Sequence, residues 1–135
     1  MAAKNKDEVF AAFTAKAVKR LQENKVRRRE RIYVPSLDEE ITIQSLTYPE
    51  IVECTEIEDD KDPNKADKYT IYLSVVDPDL KEVAVQLKES GEIKEYIEVV
   101  DIFAMSEISE IAMEIMKLSK MVGRKIEVIN ELKNS

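Results

Sequence analysis

Side chains that could do catalytic chemistry are few in this sequence. The 135 residues include no histidine, so a Ser-His-Asp or Cys-His arrangement cannot form and the commonest zinc ligand is missing. Two glycines, Gly91 and Gly123, are too few to build a phosphate-binding loop of the GxGxxG or Walker type. The sequence therefore predicts a protein that is not an enzyme, with no catalytic, metal-binding or cofactor-binding residues and no cofactor.

One acidic segment begins like a calcium-binding loop. Asp60, Asp62 and Asn64 place oxygen-bearing side chains at alternate positions, but Lys65 stands at the sixth position, where Gly is needed. Ile71 stands at the twelfth, where a bidentate Glu is needed. The pattern favours a solvated acidic turn over a metal site.

The other titratable groups have ordinary explanations. Glu92, Glu95 and Glu98 are spaced like paired acid and base carboxylates, but Asp and Glu make up 28 residues of the chain, so a solvated helix face is expected. Cys54 has Glu53 and Glu56 nearby, and negative charge raises a thiol pKa, so it is expected to be an unreactive core or half-buried residue.

Positive charge is concentrated near the N-terminus. Residues 1–31 hold ten Lys and Arg against four Asp and Glu, which gives +6 and leaves −13 on residues 32–135. Arg27, Arg28, Arg29 and Arg31 form a basic arm that could contact nucleic acid phosphates. The acidic body and the lack of interleaved aromatic residues instead favour an arm that pairs with acidic surface on its own body or on another subunit.

Composition and length indicate one domain without a membrane span. The chain is 44% hydrophobic and 36% charged, and its longest apolar run, residues 9–13, is far shorter than the roughly 20 residues a transmembrane helix needs. No signal-peptide pattern opens the chain, and a single cysteine allows no internal disulfide. These features predict a cytoplasmic protein.

The segment Ser106–Val122 carries the strongest helical pattern. Its apolar residues form one stripe at helical spacing, with Ser106 as the predicted N-cap and Gly123 just past the end. Glu107 is predicted to lie outside the stripe, in the first turn, where the helix dipole favours negative charge. The predicted stripe consists of Ile108, Ile111, Ala112, Ile115, Leu118, Ser119 and Val122.

Patterns elsewhere predict an α+β domain that is mainly α, with five to six helices and one β-hairpin. A basic N-terminal helix and arm (1–31, helical over 6–26) precedes one globular helical domain (32–135) that starts with a hairpin over 32–44. Thr47 and Glu50 form a capping box that starts a helix ending near 58. Further helices are predicted over 66–76, where a buried strand over 69–76 is the alternative, and over 80–90, 93–103 and 126–132.

Methionines are concentrated in or beside the Ser106–Val122 helix. Met113 and Met121 fall on its polar side, and flexible thioethers suit adaptable binding surfaces, although gap filling near a core is the more common role for any single methionine. The partner-binding residues predicted from this argument are Tyr96, Met113, Met116 and Met121, in a groove beside the helices of residues 93–122.

Two stretches give the chain a family resemblance. The chain resembles the XkdN-like tail assembly chaperones of tailed phages and defective prophages in the stretches VVDPDLK (75–81) and F-x-x-SEI-x-E-I (103–111). The shorter segments IYVPSL, ITIQSLT and a closing ELKNS add to the resemblance. The resemblance covers most of residues 10–135 and includes no catalytic motif.

The resemblance implies a non-enzymatic function in the infected or induced host cell. Such proteins bind the long tape measure protein, help recruit tail-tube protein subunits, and are absent from the mature virion; many also exist as an elongated frameshifted form. Homo-oligomers are compatible with this role. A small nucleic-acid-binding regulator and a structural virion component are the alternatives.

Overall fold

A computed structural model describes residues 5–59, 61–119 and 129. Helix α1 (Lys6–Lys25) is followed by strands β1 (Arg29–Val34) and β2 (Glu39–Gln44), helices α2 (Tyr48–Thr55) and α3 (Lys65–Ser74), and strand β3 (Val75–Asp77). Helix α4 (Leu80–Glu89), a 3₁₀ helix (Tyr96–Ile102) and helix α5 (Met105–Leu118) complete the described part. The predicted α+β class, mainly helical with a hairpin near the N-terminus, is confirmed.

The three strands form one antiparallel sheet in the order β1-β2-β3. In the hairpin, Ile32 pairs with Ile41, and the four-residue connection closes with Asp38 at a φ of 50°. Asp38 tolerates this left-handed conformation, and its carboxylate accepts a 2.6 Å hydrogen bond from the Tyr33 hydroxyl. The sequence predicted the hairpin but not β3.

The prediction of helix through Val76 is wrong at its end. Helix α3 stops at Ser74, and Val75 pairs with Ile43 of β2 because β-branched residues suit an extended, half-buried position. The buried Ser74 hydroxyl accepts from the Gln44 N–H at 3.1 Å and donates to the Gln44 carbonyl at 2.7 Å. One side chain thereby continues the β2–β3 pairing across the helix end.

Helix α5 packs on α3 and on the hairpin, and it supplies much of the core. The predicted stripe is confirmed over the described residues, since Ile108, Ile111, Ala112 and Ile115 are buried and Leu118 is partly buried against them. Val122, Gly123 and the predicted helix over 126–132, apart from position 129, lie outside the described residues.

The predicted start of α5 is wrong. The helix begins at Met105 with Ala104 as N-cap, and Ser106 lies exposed in its first turn. Glu107 is not on a solvated face: it is 8% exposed and accepts hydrogen bonds from the Ala104 N–H at 2.9 Å and the Ser36 N–H at 3.0 Å. It also accepts a bond from the Ser36 hydroxyl. Glu107 thus caps α5 and anchors the hairpin loop to it.

The predicted helix over 93–103 is a 3₁₀ helix, Tyr96–Ile102. Val99, Val100 and Phe103 are buried in the core, and Tyr96 is the first residue of the element. The Glu98 carboxylate accepts bonds from the N–H groups of Lys94 and Glu95, at 2.6 and 3.0 Å, so Glu98 caps this helix. Glu92 and Glu95 are exposed.

The hairpin predicted over 32–44 starts earlier, at Arg29. Helix α1 is confirmed over Lys6–Lys25, but strand β1 starts at Arg29, so Arg29 and Arg31 belong to the sheet. Helix α1 does not continue into the arginine cluster, because Val26 is extended and ends the helix. Among the helices that the structure describes, none combines the length and apolarity needed to cross a bilayer.

Candidate partner-binding surfaces

An open groove with aromatic walls lies between the segment after α2 (56–58), helix α3 and the start of the 3₁₀ helix. It measures about 570 Å³, within the range of 300–1,000 Å³ typical of ligand pockets. We call it the Tyr96 groove. Its apolar lining is Ile57, Tyr69, Tyr72, Tyr96 and Ile97, and its charged lining is Glu56, Glu58, Lys65 and Glu95.

The tyrosines of the Tyr96 groove are held in place by neighbouring groups. The Tyr69 hydroxyl donates to Glu53 at 3.2 Å. Burial is the main cause of the raised pKa of Tyr69, and this hydrogen bond raises the pKa further. Burial also raises the pKa of Tyr72. Tyr96 is 44% exposed, and the Lys88 ammonium lies 4.3 Å from its ring centroid, a cation–π contact. Tyr69 and Tyr72 are partly buried against the core, whereas Tyr96 faces outward.

The predicted grouping of Tyr96 with the methionines is not seen among the described residues. Neither Met113 nor Met116 lines the Tyr96 groove. Met113 is 50% exposed on the outer face of α5, together with the exposed Met105, and Met116 is half-buried. Met121 lies outside the described residues. The two sets of residues therefore form separate surfaces: the Tyr96 groove and the outer face of α5 (Met105, Met113).

Helix α1 carries a third apolar surface. Phe10 and Phe13 are 75% and 74% exposed, and Val9, Val18 and Leu21 are also exposed. Phe10, Phe13, Ala17 and Leu21 fall within one arc of the helix at 100° per residue. This α1 stripe has no extensive packing against any other element in the described part of the chain. Large exposed aromatic residues on one helix face are typical of an interaction surface.

Most of the basic arm is engaged by the protein itself. Arg27 pairs with Glu50 at 3.0 Å, Arg31 pairs with Glu40 at 2.7 Å, and Arg28 Nε donates to the Leu118 carbonyl at 3.1 Å. The last contact places positive charge at the C-terminus of α5, where the helix dipole is negative. Arg29 lies exposed in β1. The arrangement agrees with pairing to acidic surface of the body.

Lysines neutralise the acidic loop before α3. Lys68 lies 2.8 Å from Asp62 and 2.9 Å from Asp101, and Lys65 lies 3.3 Å from Asp59. Hydrogen bonds from backbone N–H groups and these lysines lower the pKa of Asp59 and Asp62. Among the described residues no group of three side chains is placed to hold a metal ion; Asp60, the first position of the calcium-like pattern, lies outside them.

Cys54 is a core residue. Its side chain is buried in α2, and burial is the main cause of its raised thiol pKa. A hydrogen bond with Thr70 lowers the thiol pKa, and the nearby Glu50 and Glu53 carboxylates raise it. A thiol that stays protonated is a poor nucleophile, so the predicted unreactive core role agrees with this site.

No family model, curated protein sequence or solved structure matches the chain.

Two of the surface features could not be predicted from the sequence. The α1 stripe has a narrow helical pattern, but nothing local to residues 6–25 shows that no element in the described part of the chain packs extensively on it. The Tyr96 groove combines residues from three elements separated by up to 41 positions in the chain, from Glu56 to Ile97. The sequence places Tyr96 beside Glu95, but nothing in it shows that Tyr69 and Tyr72 lie next to Tyr96.

Proposed function

We propose that this chain is a tail assembly chaperone of a phage or prophage. It binds the tape measure protein, helps recruit tail-tube subunits and catalyses no reaction. It acts in the host cytoplasm and is absent from the mature virion. The proposal begins from the resemblance of residues 75–81 and 103–111 to the XkdN-like family.

The observation that carries the proposal is exposed apolar surface on a highly charged protein. Met105 and Met113 are exposed on α5, Phe10 and Phe13 on α1, and the Tyr96 groove is open to solvent. Residues 32–135 meanwhile carry a net charge of −13. A protein that holds a long, aggregation-prone helical partner needs apolar surfaces for the partner and like charge that keeps the complexes apart.

The outer face of α5 is the surface to which we assign the tape measure protein. An amphipathic helix of the partner would lay its apolar face against Met105 and Met113, whose flexible side chains adapt to different sequences. The rigid core beneath, with Ile108, Ile111 and Ile115 buried, fixes the orientation of this face. Binding there requires no rearrangement of the fold.

Two alternatives have less support. A nucleic-acid-binding regulator would use Arg27, Arg28, Arg29 and Arg31, yet three of these already bind groups of the protein itself. It predicts salt-sensitive retention on a nucleic-acid column. A structural virion component would be present in purified particles, which mass spectrometry detects directly.

Co-expression with the tape measure protein of the same phage or prophage tests the proposal. We expect the tape measure protein to be soluble with this chain and insoluble without it. Met113→Glu should reduce that soluble fraction, because it places a charge in the apolar contact. Val85→Glu, the same change at an exposed apolar position of α4, is the matched control and should not. Equal insolubility with and without the chain would refute the proposal.

A further inference from the structure

Helix α1 is unusual because no element in the described part of the chain packs extensively on its apolar stripe. Most helices in proteins gain their stability by packing an apolar face against another element. Phe10, Phe13 and Leu21 are all more than half exposed, so the stripe is available to a surface outside its own body.

We propose that the α1 stripe of one copy docks in the Tyr96 groove of a second copy of this chain. The inference goes beyond the proposed chaperone function and does not rest on it. The two surfaces match in their apolar chemistry, since one presents phenylalanine and leucine side chains and the other is a cavity of about 570 Å³ walled by three tyrosines and two isoleucines. Aromatic side chains pack well against one another in such contacts.

Charge complementarity selects this pairing. Lys16 and Arg20 flank the α1 stripe at 100° per residue, and Arg20 also lies 3.7 Å from Glu23. Helix α1 carries five Lys and Arg against three Asp and Glu, a net charge of +2. The rim of the groove carries Glu56, Glu58 and Glu95, and the lysine in its lining, Lys65, pairs with Asp59. A basic amphipathic helix is therefore attracted to an acidic apolar groove.

The same charges disfavour pairing of α1 with α1 of another copy. Such a pair would bring two basic segments together, and like charges in contact are repulsive. Pairing of α1 with the Tyr96 groove of the second copy instead brings its net charge of +2 to the three glutamates of the groove rim. The groove is thus the better site for the stripe.

Docking in the groove of the same copy is opposed by the connection between α1 and β1. Arg27 is paired to Glu50, and Arg28 is fixed twice, by its N–H to the Ser45 hydroxyl at 2.9 Å and by its Nε to the Leu118 carbonyl. The pair with Glu50 holds the base of α1 at the first turn of α2, whereas the groove begins past the other end of α2, at Glu56. In the described part of the chain, α1 has no extensive contact with any element that forms the groove.

Sedimentation of the full chain from low micromolar to submillimolar concentration tests the proposal. We expect concentration-dependent self-association that is weaker at high salt. Phe10→Ser with Phe13→Ser should weaken it by about tenfold or more, and so should Glu56→Lys with Glu58→Lys. Because all four side chains are exposed, circular dichroism should show unchanged folding.

Tyr48→Ser is the matched control. Tyr48 is 74% exposed, like Phe13, but lies outside both surfaces, so its removal should change self-association by less than about twofold. A chain that stays monomeric throughout the concentration range would overturn the proposal. Self-association that neither pair of substitutions weakens would overturn it as well.

Disulfide trapping identifies the docked surface. Copies with Phe13→Cys are mixed with copies with Tyr96→Cys under mild oxidation, with the buried Cys54 left in place. We expect the mixed disulfide between the two kinds of copy to predominate. Predominance of the dimer between two Phe13→Cys copies would show α1–α1 pairing. In a second experiment, a chain that carries both substitutions is oxidised alone. A disulfide that closes within one copy, combined with the absence of the mixed disulfide in the first experiment, would show that α1 docks on its own body. Either α1–α1 pairing or docking on the same copy contradicts the proposal.

Discussion

Removal of the Ser74 hydroxyl tests how the helical and sheet layers are joined. Ser74→Ala leaves the Gln44 N–H and carbonyl without the partner that each has at 3.1 and 2.7 Å. Ser74 is fully buried, so water cannot easily replace the hydroxyl. The strand β1 lies on the other side of β2 and cannot supply the missing bonds.

The size of the effect follows from these two bonds. A buried polar group left without a partner costs about 1–3 kcal/mol, and the gain in helix propensity on changing Ser to Ala returns about 0.5 kcal/mol. Because two groups lose their partner, we expect the free energy of unfolding to fall by about 1.5–5.5 kcal/mol. With a urea m-value of about 1–3 kcal/mol/M, the unfolding midpoint should fall by at least about 0.5 M.

Urea unfolding followed by circular dichroism at 222 nm measures this change. Ser109→Ala, at an exposed position of α5, is the matched control, and its free energy of unfolding should differ from wild type by less than about 0.5 kcal/mol. If Ser74→Ala loses no more stability than Ser109→Ala, the Ser74 hydroxyl does not hold α3 to β2.

Three further substitutions probe other parts of the fold. Gly91 ends α4 at a φ of 81° with open space around its Cα, so Gly91→Ala should cost about 1 kcal/mol in urea unfolding while Gly91→Asn costs less; equal costs would contradict a purely backbone cause. Ile115→Ala removes a fully buried side chain of α5 and should lower the free energy of unfolding by about 2–5 kcal/mol, and a loss below about 1 kcal/mol would refute its place in the core. Hydrogen bonds from Ser36 and Ala104 hold the pKa of Glu107 below its ordinary value of 4.5, so its contribution to stability is present above pH 4.5 and is lost as the pH falls through the lowered pKa. Thermal melts from pH 6 to pH 3 should therefore show a larger loss of stability for wild type than for Glu107→Gln, and equal losses would contradict that assignment.

Signals confined to one element predicted much of the fold. The apolar spacing of α5, the Thr47–Glu50 capping box and the glycine after α4 each depend on residues within a few positions of one another. The capping box is present as predicted, with the Thr47 N–H donating to Glu50 at 2.9 Å. Such local patterns can be read because the groups that satisfy them are neighbours in the chain.

Contacts between distant residues could not be predicted in the same way. Glu107 resembles any first-turn glutamate, and only the approach of Ser36 from the hairpin loop makes it a buried anchor. Ser119 likewise accepts a bond from the Leu46 N–H at 2.9 Å, which joins the end of α5 to the chain after β2. The role of Ser74 could not be predicted either, because a helix through Val76 leaves no reason for its hydroxyl to meet a strand.

The candidate surfaces also include features that the sequence predicts and features that it does not. Exposure of Met113 follows from its place opposite the α5 stripe and was predicted, whereas its separation from Tyr96 depends on how the 3₁₀ helix packs against α3 and α4. Exposure of the α1 stripe depends on whether other elements pack against it. The helical spacing of its apolar residues gives no information about such packing.

Binding of the tape measure protein to the full chain tests the chaperone proposal most directly. The assay co-expresses the tape measure protein with the tagged full chain, immobilises the chain from the lysate and measures the tape measure protein that is retained with it. Met113→Glu and Val85→Glu are compared under the same conditions. We expect retention by wild type and by Val85→Glu, and at least about tenfold weaker retention by Met113→Glu. No retention by the folded wild-type chain, or equal retention by all three proteins, would contradict the proposal.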